Sequence, residues 1–132
     1  MTYQFLRAGE IIRGTIQENG SLKTPLRSNI RNVRLVGLIT ERIDSENQSL
    51  PLSFTFLNLE DGSGSVQVRA FGEKKRQMVE AIKIGDAIMV KGEIGKQEER
   101  FYVRPKIARK LSFVDELYNR SRTILSYFLR SI

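Results

Sequence analysis

The hydrophobic and polar positions divide the chain into three unequal parts. Residues 1–28 mix polar residues with isolated apolar ones, and Gly9, Gly14, Gly20 and Pro25 interrupt any helix or strand. This part reads as a partly ordered N-terminal arm that Ile11, Ile12 and Ile16 would dock. From Ile30 the pattern turns to β: Val33, Leu35, Val36, Leu38 and Ile39 form a first strand, in which Gly37 suits a bend or the close approach of another backbone. A polar loop runs from Ile43 to Pro51. Beyond it Leu52, Phe54 and Phe56 alternate with Ser53 and Thr55, which predicts a half-buried second strand with Ser53 and Thr55 on its outer face. Asp61 to Gly64 makes a turn, and Ser65 to Phe71 returns as a third strand. By period two, Val66, Val68 and Ala70 point inward and Gln67, Arg69 and Phe71 outward.

Met78, Val79 and Ile82 recur at helical spacing, so a short helix is expected between Gly72 and the turn at Lys83 to Asp86. Ala87 to Ile94 and Arg100 to Arg104 then alternate as a fourth and a fifth strand around the GKQEE turn, with Gly92 placed for a bend or bulge. Five strands with a helix between the third and fourth predict an all-β Greek-key barrel of the OB type over residues 29–111. The remainder, 112–132, has another period. Ser112 and Asp115 resemble a capping pair, and Val114, Leu117, Tyr118, Ser121, Ile124, Leu125, Phe128, Leu129 and Ile132 then recur at steps of three and four. This predicts a C-terminal amphipathic helix whose apolar stripe is too wide for one small domain to cover, and hence an oligomerisation interface.

Composition narrows the function. Lys and Arg number 22 against 15 Asp and Glu, a formal charge of +7, which favours a polyanionic partner. The absence of cysteine and histidine removes thiolate metal sites, disulfides and the commonest general base, so no metal and no cofactor are expected. Neither a phosphate-cradling GxxxxGK[ST] nor a GxSxG elbow is present. The paired acids Glu60 with Asp61 and Glu98 with Glu99 sit in predicted turns, where adjacent carboxylates are usually solvated, and Asp61 is better placed to shape its turn. An enzyme acting on a small-molecule substrate is therefore not expected. No apolar run approaches the roughly 20 residues of a membrane span, and MTYQFLRAGE lacks the core of a signal peptide, so an intracellular protein without a membrane partner is expected.

Single-stranded nucleic acid is held by cations that follow phosphates and aromatic faces that stack on bases. The predicted outer face of strands two and three offers Thr55, Gln67, Arg69 and Phe71, and Lys74 and Lys75 extend its edge. Lys96 in the turn between strands four and five offers a further cation, and either Phe101 or Tyr102 can stack, since one of the two must face the core. Against them, Asp44 with Glu46, and Glu98 with Glu99, place carboxylates in the loops that grip ligands in such barrels.

SNIRNVRLVGLITE, FTFLNLEDGSGSVQVRAFGE, IKIGDAIMVKGEI, PKIARKL and FVDELYNRSRTILSYFL together resemble the middle-sized subunit of replication protein A, over Ser28 to Ile132. The resemblance implies an OB barrel whose C-terminal helix joins those of a large and a small OB-fold subunit in a three-helix bundle. It assigns Leu117, Tyr118, Ile124, Leu125, Phe128 and Leu129 to that bundle, with Ser121 and Ile132 on the same stripe. It also implies single-stranded DNA as ligand, in replication, repair and recombination, and places a base-stacking aromatic at Phe71. A second stacking aromatic of the family falls near Lys96, where this chain has none. The family's winged-helix extension is not seen, as in a truncated or short form, and neither is its serine-rich N-terminus, which an archaeal source would account for together with the composition; a chromosome-associated protein is expected, in the cytoplasm if archaeal and the nucleus if eukaryotic. Two other readings share the barrel: a protein-interaction subunit of a telomere-capping, RNA polymerase or repair assembly, and the anticodon-binding appendage of a tRNA synthetase. The last leaves the terminal helix without a role.

Overall fold

The computed structural model describes residues 3–25, 27–45, 53–98 and 100–112. The arm contributes β1 (Gln4–Phe5), α1 (Ala8–Ile12), β2 (Thr15–Ile16) and β3 (Leu22–Lys23). The barrel strands follow as β4 (Asn32–Asp44), β5 (Phe54–Glu60), β6 (Ser65–Phe71), β7 (Ala87–Gln97) and β8 (Arg100–Lys110), with α2 (Glu73–Val79) between β6 and β7. Adjacent antiparallel pairs β4–β5, β5–β6, β7–β8 and β4–β7, with a parallel contact of β6 on β8, close a five-stranded barrel. The predicted all-β barrel and the helix between its third and fourth strands are present. The predicted terminal helix and its stripe from Leu117 to Ile132 lie outside the described residues.

The core is built where the alternation points inward: Val33, Leu35 and Ile39 from β4, Val66, Val68 and Ala70 from β6, Ile88 and Val90 from β7, and Val103 from β8 are all at most 2% exposed. Gly37 answers the expectation of a close approach, since a Cβ there would lie 2.5 Å from the Glu60 carbonyl oxygen. The register of β7 on β8 shifts between Lys91 and Gly92, opposite Pro105, so the bulge falls where proline has no N–H to offer the ladder. Pairing with β7 carries β8 on to Lys110, beyond the Arg104 limit expected from alternation.

Strand β5 corrects the predicted phase. Thr55, Leu57 and Leu59 point into the barrel, at 1%, 0% and 0% exposure, while Phe54, Phe56 and Asn58 lie on the outside. Ser53 and Thr55, expected on the outer face, are buried. The arm packs further than its broken pattern predicts. Leu6, Ala8, Ile11 and Leu22 are fully buried in the barrel's core cluster, whereas Ile12 and Ile16, also expected to dock, stay exposed. Strand β1 runs parallel to β4 beside Val33 and Arg34, along the half of β4 that β5 does not pair. Helix α1 is seated on the β5–β6 turn: the Asp61 carboxylate accepts the Ala8 N–H at 2.7 Å and the Ser63 hydroxyl accepts that of Gly9 at 2.9 Å. Only glycine fits at position 9, because a Cβ would stand 2.5 Å from the Ser63 carbonyl oxygen.

At the opposite end, α2 plugs the barrel with Val79, and Ile82 follows it into the core. The Arg42 guanidinium caps the end of this helix by donating to the carbonyls of Val79, Glu80 and Ile82 at 3.0, 3.2 and 2.6 Å. Asp44 holds Arg42 in place, accepts from the Thr55 hydroxyl and lies 3.7 Å from Arg76. The Arg42 hydrogen bond, with help from Thr55 and Arg76, holds the Asp44 carboxyl below its ordinary value of 3.8. A depressed carboxyl stabilises the fold above its unfolded pKa, and that contribution is lost as pH falls through the lower folded value. Asp44→Asn is therefore expected to reduce stability at neutral pH by on the order of 1 kcal/mol, a figure discounted for solvent screening. Denaturant unfolding of variant and wild type at a series of pH values checks this: the gap between them begins to narrow near about pH 3.9 and closes only below the lower folded value.

Candidate nucleic-acid interface

The hairpin register decides which side chains share the outer face. Phe54 stands opposite Phe71, Phe56 opposite Arg69, and Asn58 opposite Gln67. Directly opposed residues lie on the same side of an antiparallel pair, so the face carries three phenylalanines where the sequence pattern predicts one. Phe54 and Phe56 stack at 4.3 Å between centroids, and Phe71 meets Phe56 edge-on at 5.6 Å. Ile43, expected in a loop, belongs to β4 opposite Phe56 and is 43% exposed, which widens the apolar surface.

Arg69 sits at the centre of this face. Its guanidinium lies over the Phe56 ring at 4.9 Å and over the Tyr102 ring at 4.4 Å. The same group donates from Nε to Gln67 Oε1 at 3.0 Å and from Nη1 to Gln97 Oε1. Only 8% of the residue is exposed, and among the described residues no carboxylate is within ion-pair distance of it. Arg69 thus keeps its charge uncompensated while holding two rings and two amides in one arrangement. Tyr102 has a matching seat across the β7–β8 hairpin, where it pairs with Gly95; a Cβ at Gly95 would fall 2.5 Å from the tyrosine ring. The choice between Phe101 and Tyr102 is therefore settled, with Phe101 in the core and Tyr102 on the face.

The other expected residues divide. Thr55 is inside the barrel and bonded to Asp44, so the threonine does not reach the face. Lys74 is exposed on α2, whereas Lys75 donates to the Pro105 carbonyl at 2.7 Å and Arg76 faces Asp44. Lys96 is exposed at the hairpin but alternates with Gly95 and Gln97, which puts it on the opposite side from Tyr102 and 5.5 Å from the Phe101 ring. Asp44, expected to repel phosphates, is engaged by Arg42 and Arg76 instead. Phe54, Phe56, Gln97 and Gly95 are the residues that sequence reasoning missed. The signal for the two phenylalanines was the turn: Glu60 pairs with Ser65, which forces even positions of β5 to share a face with odd positions of β6.

A closed five-stranded barrel with an aromatic and cationic face on its second, third and fifth strands is the architecture of an OB-type nucleic-acid-binding domain. Residues 33–111 match the family described as OB-fold nucleic acid binding domain, and the chain belongs to that family. Among curated proteins no significant match is found. Among solved structures, a chain of the S. pombe Stn1-ten1 complex superposes with a TM-score of 0.79 at 14% identity, covering 96% of this chain and 91% of the other. A chain of a replication protein A heterotrimer bound to ssDNA gives 0.75 at 11% identity, covering 98% of each chain. Yeast RPA bound to ssDNA gives 0.71 at 19% identity, covering 96% of this chain and 89% of that one.

If Arg69 organises the face, Arg69→Ala lowers unfolding free energy by about 2 to 4 kcal/mol, from two ring contacts and two charged hydrogen bonds. Arg69→Lys recovers less than half of that, because an ammonium cannot span both amides. Urea titrations of the three proteins measure it, and a lysine variant as stable as wild type contradicts the arrangement.

Proposed function

We propose that this chain is the middle-sized subunit of a heterotrimeric, replication protein A-like complex that binds single-stranded DNA during replication, repair and recombination. The observation that carries the DNA half is Arg69, held without a carboxylate among Phe56, Tyr102 and two glutamines on an aromatic face. Base stacking on Phe54, Phe56, Phe71 and Tyr102 supplies affinity that tolerates any sequence, and the arginine edge and Lys74 supply attraction to phosphate. The assembly half rests on the stripe of Leu117, Tyr118, Ser121, Ile124, Leu125, Phe128, Leu129 and Ile132, which would enter a three-helix bundle with a large and a small OB-fold subunit. The likeness to replication protein A chains solved with ssDNA supports this reading. An archaeal cytoplasm, at the chromosome, is the proposed setting. The likeness to the Stn1-ten1 complex supports a second reading, a protein-interaction subunit of a telomere-capping or comparable assembly.

Fluorescence anisotropy with labelled dT oligonucleotides separates the two. Phe56→Ala and Phe71→Ala are each expected to cost about 1 to 3 kcal/mol in binding, or roughly 5- to 150-fold in Kd. Affinities unchanged in both variants, or no binding by wild type alone or with its partners, remove the DNA half. For the assembly half, Phe128→Glu is expected to release the partners that copurify with wild type from the native host, while Phe71→Ala retains them. Full retention by Phe128→Glu contradicts the bundle.

A further inference from the structure

Next to the aromatic face the outer surface opens into a groove of about 310 Å³. Its position follows from the register. The Phe56–Arg69 pair is followed by Asn58–Gln67, about 6.8 Å further along the strands, and then by the start of β6 at Ser65. Asn58, Gln67 and Ser65 form one wall, the nearly buried Val66 and Phe101 close its floor, and Arg100 and the exposed Ile12 stand at the sides. Arg100 is two residues before Tyr102 on β8 and shares its side of the strand, so the groove continues the same surface.

The polar groups here are not used up by the fold. Asn58 donates from Nδ2 to the Thr40 hydroxyl at 2.7 Å, which leaves its Oδ1 as an acceptor. Gln67 accepts from Arg69 through Oε1, which leaves its Nε2 as a donor. Arg100 is exposed and bonded to none of the described residues. One amide acceptor, one amide donor and one guanidinium around an apolar lining complement the hydrogen-bonding edge and flat body of a base, and unstacked bases in single strands are read in this way.

We infer that this groove is a subsite for one unstacked nucleobase, taken from the single strand that crosses the Phe54, Phe56, Phe71 and Tyr102 face. The inference rests on the proposed reading of that face as a single-strand path. Asn58 and Gln67 meet the edge of the base, and Arg100 meets the edge or the phosphate that leads to it. The stacking face then tolerates any sequence, and the groove fixes where along the strand the protein stops. Ile12 gives the arm a part in this, since α1 carries it to the rim.

Ser65→Leu narrows the groove from an exposed position at the start of β6, and adds no ring to the aromatic face. Wild type and variant are titrated with dT oligonucleotides of increasing length, and Arg100→Ala serves as a second variant that removes the guanidinium from the groove's side and leaves Asn58, Ser65 and Gln67 in place. Both variants are expected to match wild type on the shortest oligonucleotides that bind, and to lack a gain of about fivefold or more that wild type shows with one further step of length. In parallel, the side-chain amide resonances of wild-type Asn58, which bonds Thr40 and not the Arg69 cluster, should move with the longer oligonucleotides and hold still with the shorter. The same length dependence in all three proteins overturns the subsite and leaves the aromatic face standing. A wild type that binds no oligonucleotide of any length overturns the face itself, and the subsite with it.

Discussion

The turn from Asp61 to Gly64 is the constraint on which both the face and the arm depend. One Asp61 oxygen accepts from the Ser63 N–H at 3.0 Å and from its hydroxyl at 2.6 Å, which closes the turn on itself. The other oxygen accepts the Ala8 N–H and so anchors α1. Closing the turn pairs Glu60 with Ser65, and from that pair every side chain of the β5–β6 hairpin acquires its side of the sheet. A slip of one residue would turn Phe54 and Phe56 inward and Leu57 and Leu59 outward. A single carboxylate therefore sets which aromatics reach solvent and where the arm crosses the end of the barrel.

Once the register is set, Arg69 can be placed where few proteins leave an arginine: nearly buried, with neutral partners alone. Removing a guanidinium from water is costly, and here two ring faces and two amide oxygens offset that cost. Those partners come from different strands, Phe56 from β5, Tyr102 from β8 and Gln97 from β7. The arginine consequently ties the β7–β8 hairpin to the β5–β6 hairpin across the parallel contact of β6 and β8, which is short, from Gln67 and Val68 to Tyr102 and Val103. The same side chain supports the stacking surface and closes the barrel's weakest seam.

What the sequence revealed depended on whether the information was local. The first strand, the inward set Val66, Val68 and Ala70, the helix ending at Val79, the close approach at Gly37 and the bulge at Gly92 follow from period and residue type, and the structure has them. The phase of β5 was ambiguous locally, because Phe54 and Phe56 are as apolar as Leu57 and Leu59; the deciding fact was the pairing across the turn. The arm hid for another reason. Leu6, Ile11 and Leu22 show no common period, since they lie between β1 and α1, in α1 and in β3 and converge only on the folded barrel. Arg69 was legible as an outward cation, but its clamp was not, because Gln97 and Tyr102 approach it through barrel closure.

The net charge also needs reinterpretation. A formal +7 suggests a surface coated for phosphate, yet many of the cations are engaged at home. Arg42 and Arg76 meet Asp44, Arg104 and Lys106 meet Glu93, and Lys110 meets Asp86. The hydrogen bond from Lys106 leads in holding the Glu93 carboxyl below its ordinary value, as that from the Lys83 N–H does for Asp86. These pairs lie on β4, on α2, on the β7–β8 hairpin and at Asp86 just before it, and none of them includes a residue of the aromatic face. On the face itself Arg69 is nearly buried, and the groove beside it holds Arg100. The face therefore presents flat rings and amide groups more than a field of charge. Under the proposed reading such a face would hold a strand by its bases, and the charge elsewhere on the surface would raise the rate of encounter more than the strength of the grip.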